Sequence, residues 1–174
     1  MHGSEVVVVE SPAQHAGVRA DAAVTATPGC TLAVRTADCA PLVLVGPRTV
    51  GVVHVGWKGL LAGVVERAVD QMRLLDPSPL AAHLGPCIRA GCYEFAGPEL
   101  DLMVERYGPA VRSSTTWGTP SLDIPAAAAA ALAAIEVGPL FDSSGCTACD
   151  RRWFSHRARA ETERFATMAW IPQP

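Results

Sequence analysis

The sequence has no apolar run long enough to cross a bilayer. Its longest, Pro125 to Ile135, is mostly alanine and far short of the roughly 20 residues a spanning helix needs. It has no cluster of lysine and arginine. With 14 basic and 17 acidic residues the formal charge is −3, so nucleic-acid binding through phosphate neutralisation has no support. No secretory signal is visible, because the chain opens into a polar dipeptide and a valine run. There is no internal repeat, no linker and no second Cys-x-x-Cys to complete a four-cysteine metal site. These absences lead us to expect a soluble, cytoplasmic protein with no nucleic-acid or membrane partner.

What is present suits a compact domain. The 174 residues are enough for one core and too few to expect two. Apolar residues make up 49% and charged residues 18%, which argues against disorder. Six cysteines allow three disulfides on count alone. Without a secretory signal, and with a core able to fold unaided, free thiols or metal ligands are the expectation.

Short β-branched or alternating runs predict strands at Glu5–Val9, Ala22–Thr25, Thr31–Thr36, Leu42–Val45, Val50–Val55 and Phe165–Ile171. Gly46–Thr49 reads as a hairpin turn. Residues 10–21 read as a loop. The clearest helix runs from Leu60 to Met72, with apolar residues at 60, 61, 64, 65, 68, 69 and 72 and charged residues opposite. A second follows Gly97, with Pro98 in its first turn, and stops at Gly108. A third begins at Asp123 as N-cap and runs to about Glu136. This order predicts an α+β fold: one mixed α/β layered sandwich spanning 1–174.

Three segments carry candidate chemistry. Thr36-Ala-Asp38-Cys39-Ala-Pro41 places a carboxylate and a thiol on a short link between apolar strands. Here the alternative is a buried structural cysteine beside a turn-closing aspartate. Val53-His54-Val55-Gly56-Trp57-Lys58-Gly59 puts His54 at a strand end. The helix start that follows suits an anion, although a core histidine in a strand–helix turn is the competing reading. His2 alone reads as a chain terminus. Together, two imidazoles and a thiolate are good zinc ligands, and three protein ligands leave a fourth position open, as in a catalytic site. Their separations are too wide for spacing to show that they meet. Cys146-x-x-Cys149 reads as two unreactive thiols near a turn, and Cys87 and Cys92 as structural. Arg35 and Arg157 are candidate anion ligands for which surface arginine is the default. His15 and His83 receive no role.

The runs His2-Gly3-Ser4-Glu5-Val6, Ala20-Asp21-Ala22, Arg35-Thr36-Ala37-Asp38-Cys39-Ala40-Pro41 and His54-Val55-Gly56-Trp57-Lys58-Gly59 resemble the YfiH/LACC1 family. So do Gly85-Pro86-Cys87-Ile88, Cys92-Tyr93-Glu94, Leu122-Asp123-Ile124, Cys146-Thr147 and Phe154-Ser155-His156-Arg157. Members of that family have been called multicopper polyphenol oxidases (laccase-like) and, later, purine nucleoside phosphorylases. The similarity covers nearly the whole chain. It implies a CNF1/YfiH-like fold and a zinc ion on His2, Cys39 and His54, with copper as the alternative. It also implies phosphorolysis of adenosine, inosine, guanosine and methylthioadenosine, and deamination of adenosine, with a purine nucleoside and phosphate as partners. Some bacterial members are instead linked to peptidoglycan precursor editing.

The sequence departs from the family pattern in four places. The usual N-terminal segment before the His-Gly block is not present. Lys58 stands for arginine, and His156 for tyrosine. Thr162-Glu163-Arg164 replaces Thr-Gly-Arg. In the implied chemistry Cys39, His54 and Asp38 are catalytic, Asp38 shuttling a proton or orienting a ligand, while Arg35, Lys58 and Arg157 bind substrate. A phenol oxidase would need more than five histidines. A non-enzymatic, zinc-stabilised binding domain is the remaining alternative.

Overall fold

The computed structural model describes residues 3–173. Its centre is a six-stranded mixed sheet built from β1 (Val6–Val8), β2 (Ala22–Thr25), β4 (Ala40–Val45), β5 (Val50–Val55), β6 (Ala81–Leu84) and β9 (Leu140–Asp142), in the order β1-β2-β5-β4-β6-β9. The inner pairs are antiparallel and the two outer pairs parallel. β3 (Thr31–Thr36) and β10 (Phe165–Trp170) form a separate antiparallel ribbon, and β7 (Arg112–Ser114) and β8 (Pro120–Leu122) another.

Strand alternation divides the molecule into layers, since neighbouring side chains leave opposite faces of a pleated strand. Val24, Leu42, Leu44, Val53 and Val55 face a core made with helices α1 (Trp57–Leu61), α2 (Val64–Leu75), α3 (Pro98–Tyr107) and α4 (Ile124–Ala134). Val50 and Val52 face the other way and meet Leu32, Val34 and Ala169 of the ribbon. The result is the expected α+β sandwich: helices, sheet, ribbon. A fifth helix, α5 (His156–Arg159), lies in the C-terminal arm.

The predicted helix 60–72 is two helices. Gly63 has φ +78° and caps α2, a backbone state that other residues adopt at a cost of about 1–2 kcal/mol. The apolar spacing runs through the break, so periodicity did not reveal it. The third helix ends at Ala134, two residues early, and its N-cap Asp123 accepts from the Ala126 amide at 2.9 Å. β7, β8 and β9 have three residues each and left no readable alternation. No helix among the described residues is long and apolar enough to cross a membrane.

Candidate active site

β5 carries His54 on the ribbon side of the sheet, in phase with Val50 and Val52. Pro41 of β4 is its cross-strand partner, and Cys39 stands one residue before β4. The link that delivers Cys39 is unusual. Asp38 is a non-glycine residue at φ +84°, a conformation that persists only where the surroundings over-determine it. Here its carboxylate does so. One oxygen accepts from the Thr147 and Ser155 hydroxyls, each at 2.7 Å, and the other from the Arg157 amide at 2.7 Å. Its carbonyl accepts from the Ile88 amide at 2.9 Å. Cys39 is therefore held by a buried carboxylate that anchors the C-terminal arm from 109 residues away in sequence.

Asp21 does similar work at His54. Its carbonyl accepts from the His54 amide at 2.8 Å, and one carboxylate oxygen lies 3.8 Å from His54 Nδ1. The other oxygen accepts from the Gly3 amide at 3.0 Å. Metal-binding histidines commonly have a carboxylate on the far side of the ring, and Asp21 stands on that side of His54 at charge-interaction distance. His2 itself lies outside the described residues. Burial, and then the Asp38 charge, push the Cys39 thiol up to about 11, so at neutral pH it ionises only against a cation.

Cys39 and His54 border a cavity of about 1050 Å³ between sheet, ribbon and the loop of residues 10–21. Asp38, Arg35, Lys58 and Arg157 border it too, so every predicted site residue among those described meets one space. Arg35 is placed least directly, on the face of β3 opposite Leu32 and Val34. Among the described residues the lining carries five cationic side chains, Arg19, Arg35, Lys58, Arg157 and Arg164, against the carboxylates of Asp21 and Asp38. Such a surplus in a concave site attracts anions.

Two aromatic rings share the lining. Lys58 Nζ lies 5.3 Å from the Trp57 ring, and the Arg157 guanidinium 5.0 Å from the Tyr93 ring. Arg157 also donates to the Glu94 carbonyl at 2.9 Å. Burial, then the nearby Cys39, push the Tyr93 hydroxyl up to about 12, so it stays a neutral donor. The Thr36 hydroxyl is buried at the cavity wall with no hydrogen-bond partner among the described residues. Sequence reasoning missed Asp21, Thr36, Tyr93 and Arg164. The first three stood inside recognisable blocks, but nothing local distinguished them from packing residues. Arg164 stood at a departure from the family pattern and still reaches the cavity.

The fold places the chain in a known structural class. It superposes on YlmD from Geobacillus stearothermophilus with TM-score 0.86 at 26% identity, over 99% of this chain and 71% of that one. A Neisseria meningitidis protein of the DUF152 family gives TM-score 0.86 at 28% identity, over 99% and 73%. Among curated relatives, a purine nucleoside phosphorylase of Streptomyces griseus is 41% identical over 98% of this chain and 72% of its own length. One of Mycobacterium bovis is 37% identical over 98% and 70%. The model of the family described as multi-copper polyphenol oxidoreductase laccase matches residues 1–172, and this chain belongs to that family.

The family description implies copper and the donor chemistry admits zinc. One sulfur, that of Cys39, and three imidazoles, those of His15, His54 and His156, border the cavity, and donors of these kinds fit either ion.

Proposed function

We propose that this chain is a metal-dependent purine nucleoside phosphorylase. The observation that carries the reading is the cavity that joins Cys39 and His54 to a surplus of cationic side chains and two aromatic rings. The names of the curated relatives support it. A zinc ion would be held by His2, Cys39 and His54, and when bound it supplies Lewis acidity at the cavity wall.

The chain's own residues do the rest. Lys58, Arg157 and Arg35, with Arg164, hold phosphate as a dianion next to the sugar. Proximity and fixed charge are what this reaction needs, because the glycosidic carbon becomes cationic as its bond to the base weakens. A phosphate oxygen bonds to that carbon, the carbon–nitrogen bond breaks with its electron pair leaving on the purine, and the purine takes up the proton that hydrogen phosphate gives up. Tyr93 and Trp57 offer rings against the base, and the neutral Tyr93 hydroxyl can donate to a purine nitrogen. The helix after His54 has only five residues, so the side-chain cations rather than its dipole carry the phosphate site.

Asp38 acts by position. Its three hydrogen bonds occupy both oxygens, which favours the orienting role over proton transfer. Deamination of adenosine needs a carboxylate placed to carry a proton, and Asp21 is engaged with Gly3 and His54. Phosphorolysis is thus the activity this geometry serves best.

The test is adenosine supplied with and without phosphate. Adenine and ribose 1-phosphate appearing only with phosphate are expected. Inosine as the main product would replace phosphorolysis with deamination. Neither product, alongside phenol oxidation by the copper-loaded protein, would overturn the reading.

A further inference from the structure

Three thiols that the proposed reaction does not use lie together. Cys92 ends a 3₁₀ turn (Ala90–Cys92), and Cys146 and Cys149 flank the turn Cys146-Thr147-Ala148-Cys149. Their sulfurs all lie within 4.8 Å of one another. None of the three borders the cavity. We propose that Cys92, Cys146 and Cys149 form a second metal site, which takes one thiophilic d10 cation, Zn(II) or Cu(I), on three sulfurs.

The distances suit such an ion. Sulfurs about 2.3 Å from a zinc stand roughly 3.8 Å apart in a tetrahedral arrangement. Cys92 and Cys149 are 3.2 Å apart, so a small separation of that pair accommodates the ion. Soft thiolates select Cu(I) and Zn(II) over harder cations. The two-residue spacing of Cys146 and Cys149 is common in zinc sites, where a further ligand arrives from elsewhere in the chain.

The turn that carries Cys146 and Cys149 is fixed from outside the cluster. The carbonyls of the same turn point away, to Arg159, which donates to Ala148 at 3.0 Å and to Thr147 at 3.2 Å. The two loops are also locked together. Cys87 donates to the Gly145 carbonyl at 3.2 Å and accepts from the Thr147 amide at 3.1 Å. Arg89 Nε donates to the same Gly145 carbonyl at 3.2 Å. A metal site needs this kind of fixed outer support.

Binding would form three sulfur–metal bonds and release the three thiol protons to solvent. Three thiolates complete a trigonal Cu(I) site. Zn(II) would add water on the side of Cys149, the exposed member. The ion would tie the turn that precedes Tyr93 to the arm that carries Arg157. The consequence for the cavity is a stiffer wall, because Arg157 already spans these segments through the Tyr93 ring and the Glu94 carbonyl. This site does not depend on the nucleoside reading.

The test uses the full chain, stripped of metal and kept reduced without oxygen. Zn(II) or Cu(I) is added, and the rate of alkylation of each cysteine is read by mass spectrometry. Slowing of Cys92, Cys146 and Cys149 together, by at least about tenfold and reversed by a chelator, is expected for one or both ions. Equal rates with and without either ion would overturn the site. Cobalt(II) titration gives a second measurement. Cys149→Ser should bind one equivalent less than the unmodified chain and lose most of the thiolate-to-cobalt absorption, the single Cys39 thiolate supplying the rest. An unchanged stoichiometry would refute the proposal. Failure of that variant to fold leaves the alkylation result decisive.

Discussion

Asp38 sets an unfavourable backbone state against three short hydrogen bonds, and that balance predicts how substitutions there will divide. Asp38→Ala leaves the Arg157 amide and two hydroxyls without an acceptor, at a backbone angle alanine tolerates poorly. We expect a loss of about 3 kcal/mol or more in urea unfolding. Asp38→Asn keeps an oxygen for the Arg157 amide and gives the Thr147 and Ser155 hydroxyls a donor to accept from. It should retain kcat within about tenfold, whereas loss of a proton-transfer residue lowers kcat by about 10²–10⁴-fold. Steady-state assays with saturating phosphate separate the two roles. If His54 holds a metal ion as proposed, the expected effect at Asp21 is on its affinity. Asp21→Ala removes the carboxylate behind His54 and the acceptor of Gly3, so zinc affinity should fall about 10–100-fold in chelator competition. An unchanged affinity would remove Asp21 from the metal's support.

Among the elements, α2 shows how an end is fixed electrostatically. Its C-cap Asp76 accepts from Arg48 Nε at 3.1 Å and from the Ser78 hydroxyl at 2.8 Å. Those bonds, Arg48 first, lower its carboxyl from 3.8 to about 2. A depressed folded-state value means the stabilisation is present above the unfolded-state value and is lost as pH falls through the folded one. Asp76→Asn should therefore lower the thermal midpoint at pH 7, with the difference from the unmodified chain closing between about pH 4 and pH 2. A constant difference across that range would mean the carboxylate contributes packing rather than charge. The break between α1 and α2 was invisible in the apolar spacing because both helices bury the same stripe. Only Gly63 marked it, and a glycine inside a periodic run has several readings.

At the scale of the whole molecule, the cavity exists because the ribbon β3–β10 covers one end of the sheet face that His54 shares. The cationic surplus gathers there from the loop of residues 10–21, β3, α1 and the C-terminal arm. If that surplus holds phosphate, KM for phosphate should rise with added sodium chloride while KM for the nucleoside moves less. Screening shortens the reach of exposed charges from about 30 Å at 0.01 M salt to about 3 Å at 1 M. Parallel changes in both constants would point to a general effect on the fold.

The amino-acid order alone determined the six-residue strands and β2, the capped helices and the layered class, because each rests on a local period or a local cap. It also singled out Cys39, His54, Asp38 and Lys58, because their blocks are distinctive. It did not determine that Asp38 would be spent on Thr147, Ser155 and Arg157, that Asp21 would stand behind His54, or that Cys92 would meet Cys146 and Cys149. Each of these joins segments tens of residues apart, and no local period or cap encodes such a meeting. Folding the sheet under its ribbon, and the C-terminal arm over both, decided them.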